Sequence, residues 1–164
     1  FQHYFVRDRC QPRVSGFTFT GIEEATLNPI IADWLTDCTG IVICPSNPYV
    51  SVDPLLTLAG FRSAVQNLPT VAVSPIVGGL AIKGPAAKMM QELNVPNTAL
   101  AVGQHYDGLL NGYIIDNTDG TDAEHIQQTL GIPTIVTNTI MVTLADRVSL
   151  AKDTLGLLRT IATV

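Results

Sequence analysis

Ile41-Val42-Ile43-Cys44-Pro45-Ser46-Asn47-Pro48-Tyr49-Val50-Ser51-Val52-Asp53-Pro54 decides how the rest of the chain is read. A short apolar run rich in β-branched residues has the character of a fully buried strand. It stops at Pro45, and a small polar loop follows with two further prolines, Pro48 and Pro54. Proline fixes φ and pushes the preceding residue out of the helical region, so the loop is held in shape before anything binds. Ser51 or Asp53 is placed to cap a helix whose first residue is Pro54. Strand, stiff loop and helix start present free N–H groups and the positive end of a helix dipole, a setting for an anion. The same pattern also serves as a βα turn that binds nothing.

Downstream, Leu55 to Val65 reads as a helix ending near Asn67, with Pro69 as the stop. Thr70 to Ser74 is a second buried strand and runs into Ser74-Pro75-Ile76-Val77-Gly78-Gly79. The paired glycines fit either a close backbone approach to a ligand or a left-handed turn. Lys83 stands before a helix opened by Pro85, where a cation is locally unfavourable unless an anion arrives. Lys88 reads as a solvated face, and Met89 and Met90 as core filler. His105 beside Tyr106 is read as structural. Gly112 to Ile115 and Pro133 to Thr137 are the third and fourth strands, separated by a helix capped by Thr121 or Asp122 and ended by Gly131. Leu144, Val148, Ala151, Leu155 and Leu158 recur at helical spacing and are expected to pack on the sheet.

Upstream, Tyr4 to Arg9 fits strand or helix, and Arg7 and Arg9 fit surface charges or phosphate ligands. Arg13 to Thr20 alternates like a strand with one wet face. Asn28 and Pro29 then start a helix whose stripe of Ile30, Ile31, Trp34 and Leu35 is expected in the core. Helices alternating with short apolar strands imply βαβ units, right-handed crossovers and a parallel sheet. The polar loops fall after Cys44, Val73, Ile115 and Thr137, the carboxyl ends where such sheets hold ligands.

At 164 residues, 46% hydrophobic and with mean hydropathy +0.30, the chain is long and apolar enough to bury a core. No apolar run reaches the roughly 20 residues of a membrane span. A net charge of -5 without a basic cluster argues against nucleic acid. Cys10, Cys38 and Cys44 lack metal or redox spacing and are expected as buried thiols in a reducing compartment, the cytoplasm. Phe1 opens without a methionine or signal pattern, so a fragment lacking its first half is expected. No nucleophile elbow, P-loop or dinucleotide fingerprint is present. Phosphate-friendly loops with few nucleophiles favour positioning of a phosphorylated ligand, the mode of phosphoryl transfer.

The stretches Cys44 to Pro54 and Ser74 to Met89 closely resemble the 2-phospho-L-lactate transferase family, as do Tyr4-Phe5-Val6-Arg7 and the region Thr137 to Asp146. The resemblance covers the whole chain and corresponds to the C-terminal half of the family's usual length. It implies an α/β, Rossmann-like three-layer sandwich with a mostly parallel sheet. Residues 1–164 then form one α/β unit of a larger domain, with 1–22 as a partly irregular or antiparallel extension and 23–164 as βα units.

The implied activity belongs to synthesis of the deazaflavin coenzyme F-420. A lactyl- or enolpyruvyl-diphosphoguanosine donor gives its phospho-acyl unit to the hydroxyl of the deazaflavin Fo and releases GMP. Mg2+ is implied, with its ligands expected in the N-terminal half and none in this stretch. Carried over by motif, Pro45, Ser46, Asn47 and Ser51 would line the donor pocket. Ser74, Gly78, Gly79 and Lys83 would lie beside the reacting phosphate or the deazaflavin, Lys83 being the candidate for the catalytic step. A homodimer is a further expectation, since uncovered apolar surface seeks partners. The alternative is a non-catalytic regulator of the same fold that binds nucleotide sugars.

Overall fold

Four of the apolar runs pair side by side in the computed structural model, which describes residues 1–163. In chain order the elements are α1 (Pro29–Asp37), β1 (Ile41–Ile43), α2 (Asp53–Leu56), α3 (Phe61–Gln66), β2 (Thr70–Val73), β3 (Ile76–Val77), β4 (Leu80–Ala81), α4 (Ala86–Glu92), α5 (Ala99–His105), β5 (Gly112–Asp116), α6 (Ala123–Leu130), β6 (Thr134–Thr137) and α7 (Leu144–Ala162). The main sheet has the order β1-β2-β5-β6, with every pair parallel. Its register sets Ile41 beside Thr70, Val71 beside Gly112 and Tyr113 beside Thr134. The expected α/β sandwich, helices on both faces of a parallel sheet, is what forms.

Side chains alternate across the two central strands as strand geometry requires. Ala72, Tyr113 and Ile115 face one core with Val65, Met89, Met90, Val102 and Ile126. Val71, Val73 and Ile114 face the other, with Leu150 and Leu157 of α7. Strands β2 and β5 are buried along their whole length, the signature of a parallel sheet covered on both faces. β1 departs from expectation: all three of its residues are half-buried, because it lies at the sheet's edge with one neighbour.

Other elements differ from the sequence reading for identifiable reasons. The helix expected over 55–67 is two short ones, broken where Gly60 takes φ 78°, a left-handed conformation that side chains disfavour. Arg13 to Thr20 forms no strand. Phe17 and Phe19 are half-buried on one side, as alternation demands, with Phe17 stacked on Tyr49, while Val14, out of phase with them, is buried where the segment is held by α4. The Glu92 carboxylate accepts from Val14 N at 2.9 Å, and Lys88 Nζ donates to Pro12 O at 2.9 Å. Lys88 also pairs with Glu92 at 2.6 Å, which raises the lysine's pKa and lowers the glutamate's. Lys88 is therefore a tether for the N-terminal segment and not merely a solvated face. Tyr4 lies in a wide helical turn, His3–Arg7, and Arg7 pairs with Asp8 on the surface.

Trp34 is 71% exposed and Ile30 59% exposed, so the α1 stripe is not core. Only Leu35 of that stripe is half-buried, at a shallow cavity it shares with Ala64 and Leu68 of the α3 region. The three cysteines are free thiols, none of them buried and Cys44 exposed. Helix α7 presents Leu150, Thr154 and Leu157 to the sheet, with Leu158 and Ile161 beside them. Leu144, Val148, Ala151 and Leu155 of the expected stripe are exposed. The two stripes lie about 100° apart on the helix, so a shift of one residue exchanges them. This assignment of faces predicts that Leu157→Ala lowers stability by about 2–5 kcal/mol and Leu144→Ser by under about 0.5 kcal/mol, read by urea unfolding.

Candidate functional site

Parallel strands deliver their following loops to one edge, and three of the four loops singled out in the sequence meet there. Pro45, Ser46 and Asn47 follow β1, Ser74 and Pro75 follow β2, and Thr139 to Val142 follow β6. Val77 and Ile82 come from the β3–β4 hairpin, Lys83 from the connection to α4, and Arg147 from the first turns of α7. Together they line a cavity of about 430 Å³. The lining holds no carboxylate, and its charged members are Lys83 and Arg147. In a chain of net charge -5 this is a local reversal of sign.

The fourth loop acts from behind. Asp116 ends β5 and is 3% exposed. Its Oδ1 accepts from Thr118 N at 2.9 Å and Thr118 Oγ1 at 2.8 Å, and its Oδ2 from Thr139 N at 2.8 Å and Thr139 Oγ1 at 3.0 Å. Burial raises the pKa of this carboxyl, but the four donors together outweigh burial and hold it below the ordinary carboxylate range. One carboxylate therefore fixes Thr139, and through it the loop that forms a wall of the cavity.

The predicted residues are not all brought together. Pro45, Ser46, Asn47, Ser74 and Lys83 line the cavity. Asn47 Oδ1 accepts from Tyr49 N at 3.0 Å and Val50 N at 3.4 Å, and its Nδ2 donates to Met89 Sδ at 3.2 Å. Asn47 thus caps the turn Pro48–Val52, whereas neither Ser51 nor Asp53 caps α2, which begins at Asp53 after Val52 with no side-chain cap. The Ser74 hydroxyl donates to Ile76 O at 2.9 Å and accepts from Ile76 N at 3.1 Å, closing its own turn.

Ser51 is exposed and carried by the Pro48–Val52 turn to a separate groove beside β1. Gly78 and Gly79, at φ 55° and 77°, form the two-residue turn between β3 and β4, where Val77 pairs with Leu80. Such hairpin turns demand positive φ at both central residues. Gly78 N–H points at Asp119, 3.1 Å from each carboxylate oxygen. The glycines serve the hairpin, and the hairpin carries Val77 and Ile82 to the cavity. His105 is held structurally: Nε2 lies 2.8 Å from Asp53 Oδ1, and the ring meets Tyr49 and Tyr106 edge-on.

Arg147 was not picked out by the sequence reading. It follows the helix-start signal Thr143-x-x-Asp146, which the structure turns into a reciprocal capping box, so the signal was present but its nearness to the other loops was not. Among the described residues no group of three His, Cys, Asp or Glu side chains is placed to hold a metal ion. The carboxylate-free lining does not suit Mg2+.

Residues 2–150 match the sequence profile of the family described as 2-phospho-L-lactate transferase CofD. The chain belongs to this family. It is 31% identical over 161 residues to the 2-phospho-L-lactate transferase of Methanosarcina barkeri, covering 98% of this chain and 52% of that relative. It is 32% identical over 152 residues to the enzyme of the same name from Methanococcoides burtonii, covering 93% and 49%. It is 35% identical over 130 residues to the phosphoenolpyruvate transferase of Streptomyces griseus, covering 77% and 41%. The chain spans about half the length of the curated relatives it matches.

Two outcomes test this geometry. Asn47→Ala removes the cap of the Pro48–Val52 turn and is expected to cost about 0.5–2 kcal/mol in thermal or urea unfolding. The lowered pKa of Asp116 contributes stability that is present above its unfolded pKa of about 3.9 and lost as pH falls through the folded value. Asp116→Asn is expected to be less stable at neutral pH by about 1–3 kcal/mol, with a shallower acid limb below about pH 4 in urea titrations.

Proposed function

We propose that this chain forms the donor side of a transferase that moves a phospho-lactyl or phosphoenolpyruvyl group from a guanosine diphosphate-linked donor to the deazaflavin Fo, releasing GMP, in coenzyme F-420 synthesis. The observation that carries the reading is the cavity at the carboxyl edge, where Ser46, Asn47 and Lys83 converge and no carboxylate repels an anion. Family membership and relatives named 2-phospho-L-lactate transferase and phosphoenolpyruvate transferase support the type of reaction.

In this reading the acceptor hydroxyl attacks the phosphorus that bears the acyl group. The bond from that phosphorus to the bridging oxygen breaks, GMP leaves with the electron pair, and the hydroxyl proton is lost. The chain's own residues position and neutralise. Lys83 has no partner for its ammonium among the described residues and stands free to meet the charge that grows on the phosphoryl oxygens. Ser46 adds a hydroxyl donor beside it. The Asn47 amide holds the loop, and its Nδ2 contact to a thioether, a weak acceptor, is readily exchanged for a nucleotide oxygen. Ile82, Met141 and Val142 form an exposed apolar rim that a bound donor and acceptor would cover.

The assay is release of GMP when the natural full-length protein is mixed with Fo, donor and Mg2+. Lys83→Met is expected to lower turnover about 100-fold or more with an unchanged melting temperature, following the loss of a charge-stabilising donor. No GMP from the wild-type protein, with tight binding of a UDP-sugar, overturns the reading.

A further inference from the structure

The charge on Arg147 has no partner among the described residues. The adjacent acid, Asp146, is turned to the helix start, where its Oδ2 accepts from Thr143 N at 2.7 Å and from Thr143 Oγ1 at 2.8 Å. Arg147 lines two spaces at once. One is the polar cavity with Lys83 and Ser46. The other is a groove whose wall, including Val42, Val73, Leu150 and Leu155, is almost wholly apolar. An arginine shared between such surfaces lays its methylene stem on the apolar one and keeps its head with the polar one. Pro45 and Met141 also line both spaces, so the two share a wall at Arg147. That preference assigns the guanidinium to the cavity, which Arg147 reaches from a different element than Lys83.

Two cations lining one small cavity repel each other, and the repulsion is relieved by an anion that meets both. A planar guanidinium donates in parallel pairs to phosphate oxygens, whereas an ammonium acts as a point charge. Nothing in the lining offers a carboxylate that would compete for either. We infer that Arg147 is a second anion anchor, making the cavity selective for a ligand with two linked phosphates over one with a single phosphate. The inference rests on the donor-site reading proposed above and deepens it. It divides the work between the walls: Lys83 meets one phosphate, and Arg147 on α7 grips the other.

The test is isothermal titration of the protein with GDP and with GMP at one fixed ionic strength, for wild type, Arg147→Gln and Arg147→Lys, each first shown by circular dichroism to melt as the wild type does. Wild type is expected to prefer GDP. Arg147→Gln is expected to lose about tenfold or more in GDP affinity with GMP little changed, so that the preference collapses, and Arg147→Lys to retain part of it. A GDP preference that survives Arg147→Gln, or an equal loss for both nucleotides, overturns the role of Arg147 and leaves the donor site standing. Failure of the wild type to bind either nucleotide overturns both.

Discussion

All four strands of the main sheet run the same way, and this constraint sends their four following loops to a single edge. Parallel strands cannot be joined by tight turns, so each connection must climb back across a face of the sheet. The returning segments are α2 and α3, then the hairpin with α4 and α5, then α6. They bury Val65, Met89, Met90, Val102 and Ile126 against the sheet. The price of long crossovers is offset by burial on that face, and the by-product is a rim where Pro45, Ser46, Ser74 and Thr139 come within one cavity. The site is a consequence of strand direction before it is a consequence of any one residue.

The polarity of that rim is arranged against the charge of the whole. The chain is acidic, yet the acids near the cavity face away from it or are tied elsewhere. Asp116 is enclosed by four donors from two threonines, Asp119 bonds the hairpin turn, and Asp146 closes the capping box of α7. Each carboxylate thereby builds the frame and leaves the cavity to Lys83 and Arg147. This use of acids as braces explains how an acidic protein presents a cavity whose charged lining residues are both basic.

Among the described residues the second face of the sheet is covered by α7, laid over β2, β5 and β6. Val42 of β1 and Val73, with Ala151 and Leu155 of the helix, form the apolar groove that remains open beside it. Arg147, Pro45 and Met141 line both this groove and the cavity, so the two spaces share a wall.

Signals carried by neighbours in sequence were legible in advance. Strand runs, the Asn28 cap, the Gly131 stop, the stiff Pro45 loop and the family resemblance all depend on residues within a few positions of one another. Trp34, the facing side of α7, the departure of Ser51 and the pairing of Val14 with Glu92 depend on partners far along the chain. Apolar spacing shows that a helix has two sides, but a rotation of about 100° per residue makes the buried side a matter of what lies opposite. The amino-acid sequence by itself determined the four strands of the main sheet, most of the helices between them and which polar loops follow the strands, but neither the β3–β4 hairpin nor the non-strand course of Arg13 to Thr20. Only the tertiary structure decided that the hairpin glycines serve a turn, that Asp116 braces Thr139, and that Arg147 joins Lys83, because those outcomes follow from crossover paths and helix rotation, which no local pattern encodes.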